Sequence, residues 1–124
     1  MNIERPYRRV DRVGAQILEI LAEISTKHID ISHLGFITFT RVDLTPDFQK
    51  AHIFFSVLQP QFPVDEIVLE MNDLAKSFRR FLAPELHIKT IPALVFEYDD
   101  SFDRLEHLDA LFKQIHEQDD SRVD

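Results

Sequence analysis

Gly35 to Leu58 reads GFITFTRVDLTPDFQKAHIFFSVL, two runs rich in Phe, Ile, Val and Thr on either side of Thr45-Pro46-Asp47. In the second run Ala51, Ile53, Phe55 and Val57 take every other position between Lys50 and Leu58, which makes one face of an extended strand apolar. The first run, Gly35 to Leu44, has strand composition and no helical stripe that its length could sustain. Thr45, Pro46 and Asp47 supply turn chemistry. The segment is predicted to be a hairpin with a short loop, so the rest of the chain must supply the layer that covers its apolar face.

Working outward, Val10, Val13, Ile17, Leu21 and Ile24 recur at spacings of three and four, one face of an amphipathic helix from about Pro6 to Thr26 with Pro6 in its first turn. After a break at Gln59 to Pro63, the residues Val64, Val68, Met71, Ala75, Phe78 and Leu82 share a second helical face, with Asp65 and Glu66 in the first turn and Pro84 as the stop. His87 to Tyr98 reads as a third strand, with Pro92 marking a bulge or an edge position. Leu105, Leu108, Phe112 and Ile115 form a narrower stripe on a short last helix that Ser101 is placed to cap. No repeat or internal linker divides the chain. The expectation is one domain over residues 1–117, followed by an acidic, mobile tail over 118–124.

The order helix, strand, strand, helix, strand, with a C-terminal helix, predicts a two-layer α+β domain built on a small mixed three-stranded sheet. The helix between strands two and three should make a right-handed crossover and leave those strands parallel. This element order resembles the prokaryotic-type KH domain.

At 124 residues the chain suits a single core. It has no Cys, hence no disulfide, thiolate metal site or cysteine nucleophile. Its longest apolar stretches fall far short of the roughly 20 residues that span a bilayer, so no membrane role is expected. The start, Met1 to Arg12, does not read as a secretory signal, because Glu4 and Asp11 interrupt its arginines and no apolar run follows before a cleavage site. The net charge of −8 argues against a phosphate-rich partner until its distribution is considered. Glu97 to Asp124 holds ten Asp/Glu against three Lys/Arg, whereas Met1 to Phe96 holds twelve against eleven. The acidity therefore belongs mainly to the last quarter.

Catalytic patterns are missing from the sequence: there is no Gly-rich phosphate loop, no HExxH, no GxSxG and no calcium loop. Asp99, Asp100 and Asp103 suit a helix N-terminus better than a cation site, and the six His share no zinc-ligand spacing. No catalytic residue, metal or cofactor is assigned. The informative residues are basic. Arg5, Arg8, Arg9 and Arg12 recur at three and four on the opening helix, off its apolar stripe. Lys76, Arg79 and Arg80 do the same on the second helix, followed by Lys89 on the third strand. Planar guanidinium forks suit phosphate, which makes these eight residues the candidate RNA-binding set. Ordinary solvated faces paired with Glu4, Asp11 and Asp73 fit the residues equally well.

A longer pattern favours the first reading. Arg8-Arg9-Val10-Asp11-Arg12-Val13 and the apolar helix after it, then Ile37 to Val57, then Phe78-Arg79-Arg80-Phe81-Leu82 with Leu86, Ile88, Lys89, Pro92, Leu94, Phe96, Tyr98, Asp99 and Ser101, resemble in uninterrupted order the ribosome-binding factor A family. The resemblance implies a non-catalytic, monomeric, cytoplasmic factor with a KH-like fold. Such a factor binds the small (30S) ribosomal subunit and its 16S rRNA near the neck and decoding region, assists late rRNA processing, and is released by other assembly factors. Family members bend two helices at an Ala-x-Gly kink. Here Gly is missing and the register puts Lys76 in its place, so the bend is expected at Lys76 or Ser77, or the helix runs straighter. The acidic quarter would stay off the RNA and is free to meet a basic ribosomal protein. The rival is a protein-interaction module whose functional face is that acidic surface, with no direct RNA contact.

Overall fold

Strands β1 (Phe36–Leu44) and β2 (Lys50–Leu58) pair antiparallel in a computed structural model that describes residues 8–122 and the side chains of 8–116. A third strand, β3 (Ala93–Tyr98), lies parallel to β2, giving the sheet order β1-β2-β3. The inward face is the one the alternation predicts: Ala51, Ile53 and Phe55 are fully buried. In β1 the register shifts between Phe39 and Arg41. This bulge lets Ile37 and Phe39, then Val42 and Leu44, all face the core, while Thr40 and Arg41 are both exposed. Sequence alternation alone gave no sign of it.

Helix α1 (Arg9–Lys27) buries Val13, Ile17, Leu21 and Ile24 against the sheet. Gly14 permits that approach, since an added Cβ would lie 3.2 Å from the Val42 carbonyl oxygen. The helix begins at Arg9, with Arg8 as its cap residue. Pro6, expected in the first turn, lies outside the described residues.

The single helix expected from Val64 to Leu82 is two, α2 (Val64–Asp73) and α3 (Ala75–Leu82). The break falls at Leu74, with φ −88° and ψ −2°, and not at Lys76 or Ser77. The Leu74 N–H is shared between the Glu70 and Met71 carbonyls, the tightened last turn typical of a helix end. The cause sits two residues earlier. Asn72 turns its amide onto β3, accepting from the Phe96 N–H (2.8 Å) and donating to the Phe96 carbonyl (2.9 Å), which anchors the end of α2 to the strand. Helix α3 then sets Phe78 into an aromatic cluster with Phe39 and Phe96, at centroid separations of 5.3–6.1 Å.

Strand β3 is shorter than His87–Tyr98. Residues 86–92 form no strand, and pairing begins at Ala93, because Pro92 has no N–H and its carbonyl, with that of Ile91, is already taken by Arg79. Lys89 therefore sits on an irregular segment and not on a strand. β3 is an edge, as Pro92 suggested.

The last helix is not short: α4 runs Ser101–Arg122, without a break at residue 118. Ser101 is its first residue and not its cap. The first helical bond goes from the Arg104 N–H to the Asp100 carbonyl, and the Asp99 carboxylate accepts the Ser101 N–H (2.9 Å). Helices α1, α2 and α3 cover one face of the sheet, while α4 projects away with Phe102, Leu105, Leu108, Leu111, Phe112 and Ile115 all exposed. The open face carries Phe54, half-buried, and Phe36, which is 67% exposed, so neither aromatic belongs to the core.

Candidate nucleic-acid interface

The basic side chains of the first turns of α1 stand on its solvent side because the stripe beginning at Val13 is committed to the core. Arg8 pairs with Asp11 at 3.7 Å, and the Asp11 carboxylate also accepts the Arg8 N–H (3.3 Å). Arg9 reaches the hairpin: its guanidinium carbon lies over the Phe48 ring, 4.9 Å from the centroid. Arg12 is exposed and forms no ion pair among the described residues. Arg5 lies outside the described residues.

Phe48 is held by the turn itself. Its φ of 62° lies in the left-handed region, which is costly for a side chain with a Cβ. The Thr45 hydroxyl donates to Asp47 Oδ1 (2.8 Å), the same oxygen accepts the Gln49 N–H (3.1 Å), and the Phe48 N–H donates to the Thr45 carbonyl (2.8 Å). The Thr45 hydroxyl, followed by the Gln49 N–H, holds the Asp47 carboxyl below its ordinary range.

The second cluster comes to the same end of the sheet. The Gln49 carbonyl, next to Phe48, accepts the Ala93 N–H (3.0 Å), and the preceding carbonyls, those of Pro92 and Ile91, accept from Arg79 Nε (3.1 Å) and Nη2 (2.9 Å). Arg9 and Arg79 are thus linked through Phe48, Gln49, Ala93 and Pro92. Two of the five Arg79 N–H groups are spent on backbone, which makes it a brace of the 86–92 segment. Lys76, Arg80 and Lys89 are exposed and form no ion pair among the described residues, so the ordinary pairing with Asp73 is not made. Lys50, at the start of β2, adds an exposed charge at this end that the candidate set omitted. Its outward position was readable, since it alternates with Ala51.

Acidic groups gather at the other end of β3, about 16 Å away at ~3.3 Å per residue. There Asp99 accepts from the Thr40 hydroxyl (2.7 Å) as well as from Ser101, and its carboxyl is pulled down to about 2 by Ser101, then Thr40, with the Arg41 charge nearby. Burial, with the Asp103 carboxylate it donates to, pushes the Tyr98 hydroxyl up to about 12. Between the two ends the open face holds a His52–Glu97 pair and Arg41 over Phe54, 4.0 Å from its centroid. Among the described residues no three metal-ligating side chains converge, and no helix is long and apolar enough to cross a membrane.

Comparison with known proteins agrees in sequence and in fold. The family model described as ribosome-binding factor A matches residues 9–112. The ribosome-binding factor A of Aromatoleum aromaticum is 33% identical over 118 residues, 95% of this chain and 93% of its own length. That of Thermodesulfovibrio yellowstonii is 38% identical over 112 residues, 90% and 93% of the respective chains. Among solved structures, a Thermotoga maritima protein superposes with a TM-score of 0.63 at 26% identity, covering 77% of this chain and 92% of its own. The crystal structure of ribosome-binding factor A from Thermus thermophilus gives a TM-score of 0.63 at 16% identity, covering 73% and 97%. A Thermus thermophilus homology model fitted into a cryo-EM map of a complex with the 30S subunit gives 0.59 at 16% identity. The fold is the KH-like α+β domain with a C-terminal helix.

Proposed function

This chain belongs to the ribosome-binding factor A family, and on that premise we propose that it binds the small ribosomal subunit in the cytoplasm as a monomer. In this reading it holds 16S rRNA by phosphate contacts and assists late processing without catalysing a reaction. The observation that carries the proposal is the meeting of Arg9 and Arg79 at the hairpin end of the sheet, with acidic residues at the other end. An RNA approaching the basic end meets Arg8, Arg9, Arg12, Lys50, Lys89 and the Lys76/Arg80 face while the acidic end stays distant. Relatives of the same family, one of them fitted into a map of a 30S complex, support the choice of partner.

Sedimentation with purified small subunits at graded salt tests it. Association that weakens steeply with salt is expected, because phosphate contacts release counterions. Salt-insensitive association, or none, would refute the electrostatic docking. A second surface is favoured by α4, whose exposed apolar stripe on an acidic helix suits a basic ribosomal protein. Removal of the segment 118–124, whose sequence carries no apolar stripe, should leave docking intact.

A further inference from the structure

The structure describes two arginines seated on phenylalanine rings, and they differ in their neighbours. Arg41, over Phe54, is tied to Asp43 at 3.3 Å and lies close to the Asp99 carboxylate, an environment that repels phosphate. Arg9, over Phe48, forms no ion pair among the described residues and has Arg8 and Arg12 on the same helix end and Lys50 two residues beyond the ring. The one carboxylate of that turn, Asp47, is engaged by the Thr45 hydroxyl and the Gln49 N–H. Phe48 is held in left-handed backbone by the same network, an outlier fixed by its surroundings at the centre of the basic end. Arg9 is an exposed residue, so solvent reaches it while it rests on the ring.

A planar cation fixed on one face by an aromatic ring offers its other face to a second π-system. Unpaired RNA bases stack on such planes. We infer that Arg9, seated on Phe48, is a stacking platform for an unpaired base of the bound RNA, in addition to any phosphate it meets. This rests on the reading that the basic end faces RNA. Phe48 then acts as a positioning residue, since its ring holds Arg9 in place. Arg9 differs in this from Arg12 and Arg80, which rest on no ring among the described residues and so supply charge without a fixed plane.

The test compares an octamer of riboadenosine with a ribose-phosphate octamer of equal charge lacking bases. The parent protein should bind the base-bearing octamer about five-fold or more tightly, the lower range for one stacked base. Arg9→Lys keeps the charge but has no plane, and Phe48→Leu keeps apolar packing but has no ring. Both should lose the preference while retaining the parent's salt dependence and thermal melt, and Phe48→Tyr should keep it. Equal binding of both octamers by the parent, undetectable binding of the base-bearing octamer, or a preference that survives Arg9→Lys would each overturn the platform. Small-subunit sedimentation on the same samples separates the two ideas. Salt-sensitive docking that persists while the base preference is absent removes the platform alone, whereas loss of docking by the parent removes the wider reading with it.

Discussion

Asn72 serves Phe96 as a neighbouring strand would, accepting its N–H at 2.8 Å and donating to its carbonyl at 2.9 Å. Phe96 lies on the edge strand β3 with both backbone groups turned from β2, and its side chain is fully buried. One side-chain amide therefore completes the sheet edge and fixes where α2 ends. Asn72→Ala leaves a donor and an acceptor with reduced access to water and should destabilise the fold by about 2–3 kcal/mol. Asn72→Asp retains the acceptor but sets a carboxylate against the Phe96 carbonyl, and should cost at least as much at neutral pH. Denaturant titration of both variants measures this. A midpoint equal to the parent's for Asn72→Ala would show that water replaces the amide freely.

Arg79 and Arg80 are adjacent and should respond oppositely. Arg79→Ala removes two hydrogen bonds to the Ile91 and Pro92 carbonyls and should destabilise the fold by about 1–2 kcal/mol. Arg80→Ala should leave stability within about 0.5 kcal/mol and weaken small-subunit binding. Paired thermal melts and sedimentation decide it, and a stable Arg79→Ala would argue that the brace is dispensable.

The cations that face solvent should each show in the salt dependence. For Arg8, Arg9, Arg12, Lys76 and Arg80, each Ala substitution that removes a phosphate contact should lower the log–log salt slope by about 0.7–0.9. Melting behaviour should stay that of the parent. A combined variant that folds normally and binds with unchanged slope would place the docking surface elsewhere.

Asp99 gives the acid limb a defined window. Its folded carboxyl titrates near 2, below the ordinary value of 3.8, so the charged form is favoured by folding. Its contribution is complete above about pH 4 and is lost as pH falls toward 2. Asp99→Asn removes the titration, so the difference in stability between parent and variant should shrink across that window. A constant difference from pH 5 to pH 2 would show that Thr40 and Ser101 do not hold the carboxylate.

Phe55 is fully buried on β2 and packs edge-on against Tyr98 at 6.0 Å. Phe55→Ala should destabilise by about 3–5 kcal/mol, the range for a large buried aromatic truncated in a filled core. A parent-like melt for this variant would contradict the inward face of β2.

Much of the architecture could be read from sequence because its determinants are local. The alternation of Ala51, Ile53 and Phe55 set the inward face of β2, and the stripe from Val13 to Ile24 set that of α1, since a side chain's face follows from its own backbone period. The exposure of Arg8, Arg9, Arg12, Lys76 and Arg80 followed from the same periodicity. What sequence could not supply depends on contacts between residues far apart in the chain. The break at Leu74 comes from Asn72 reaching Phe96, the late start of β3 from Arg79 taking the carbonyls of Ile91 and Pro92, and the bulge at Thr40 from the pairing of β1 with β2. The meeting of Arg9 and Arg79 is of the same kind. Their separation along the chain gives no distance, and only the tertiary structure, with β3 paired beside β2 and the Ala93 N–H bonded to the Gln49 carbonyl, brings the second cluster to the ring on which Arg9 rests.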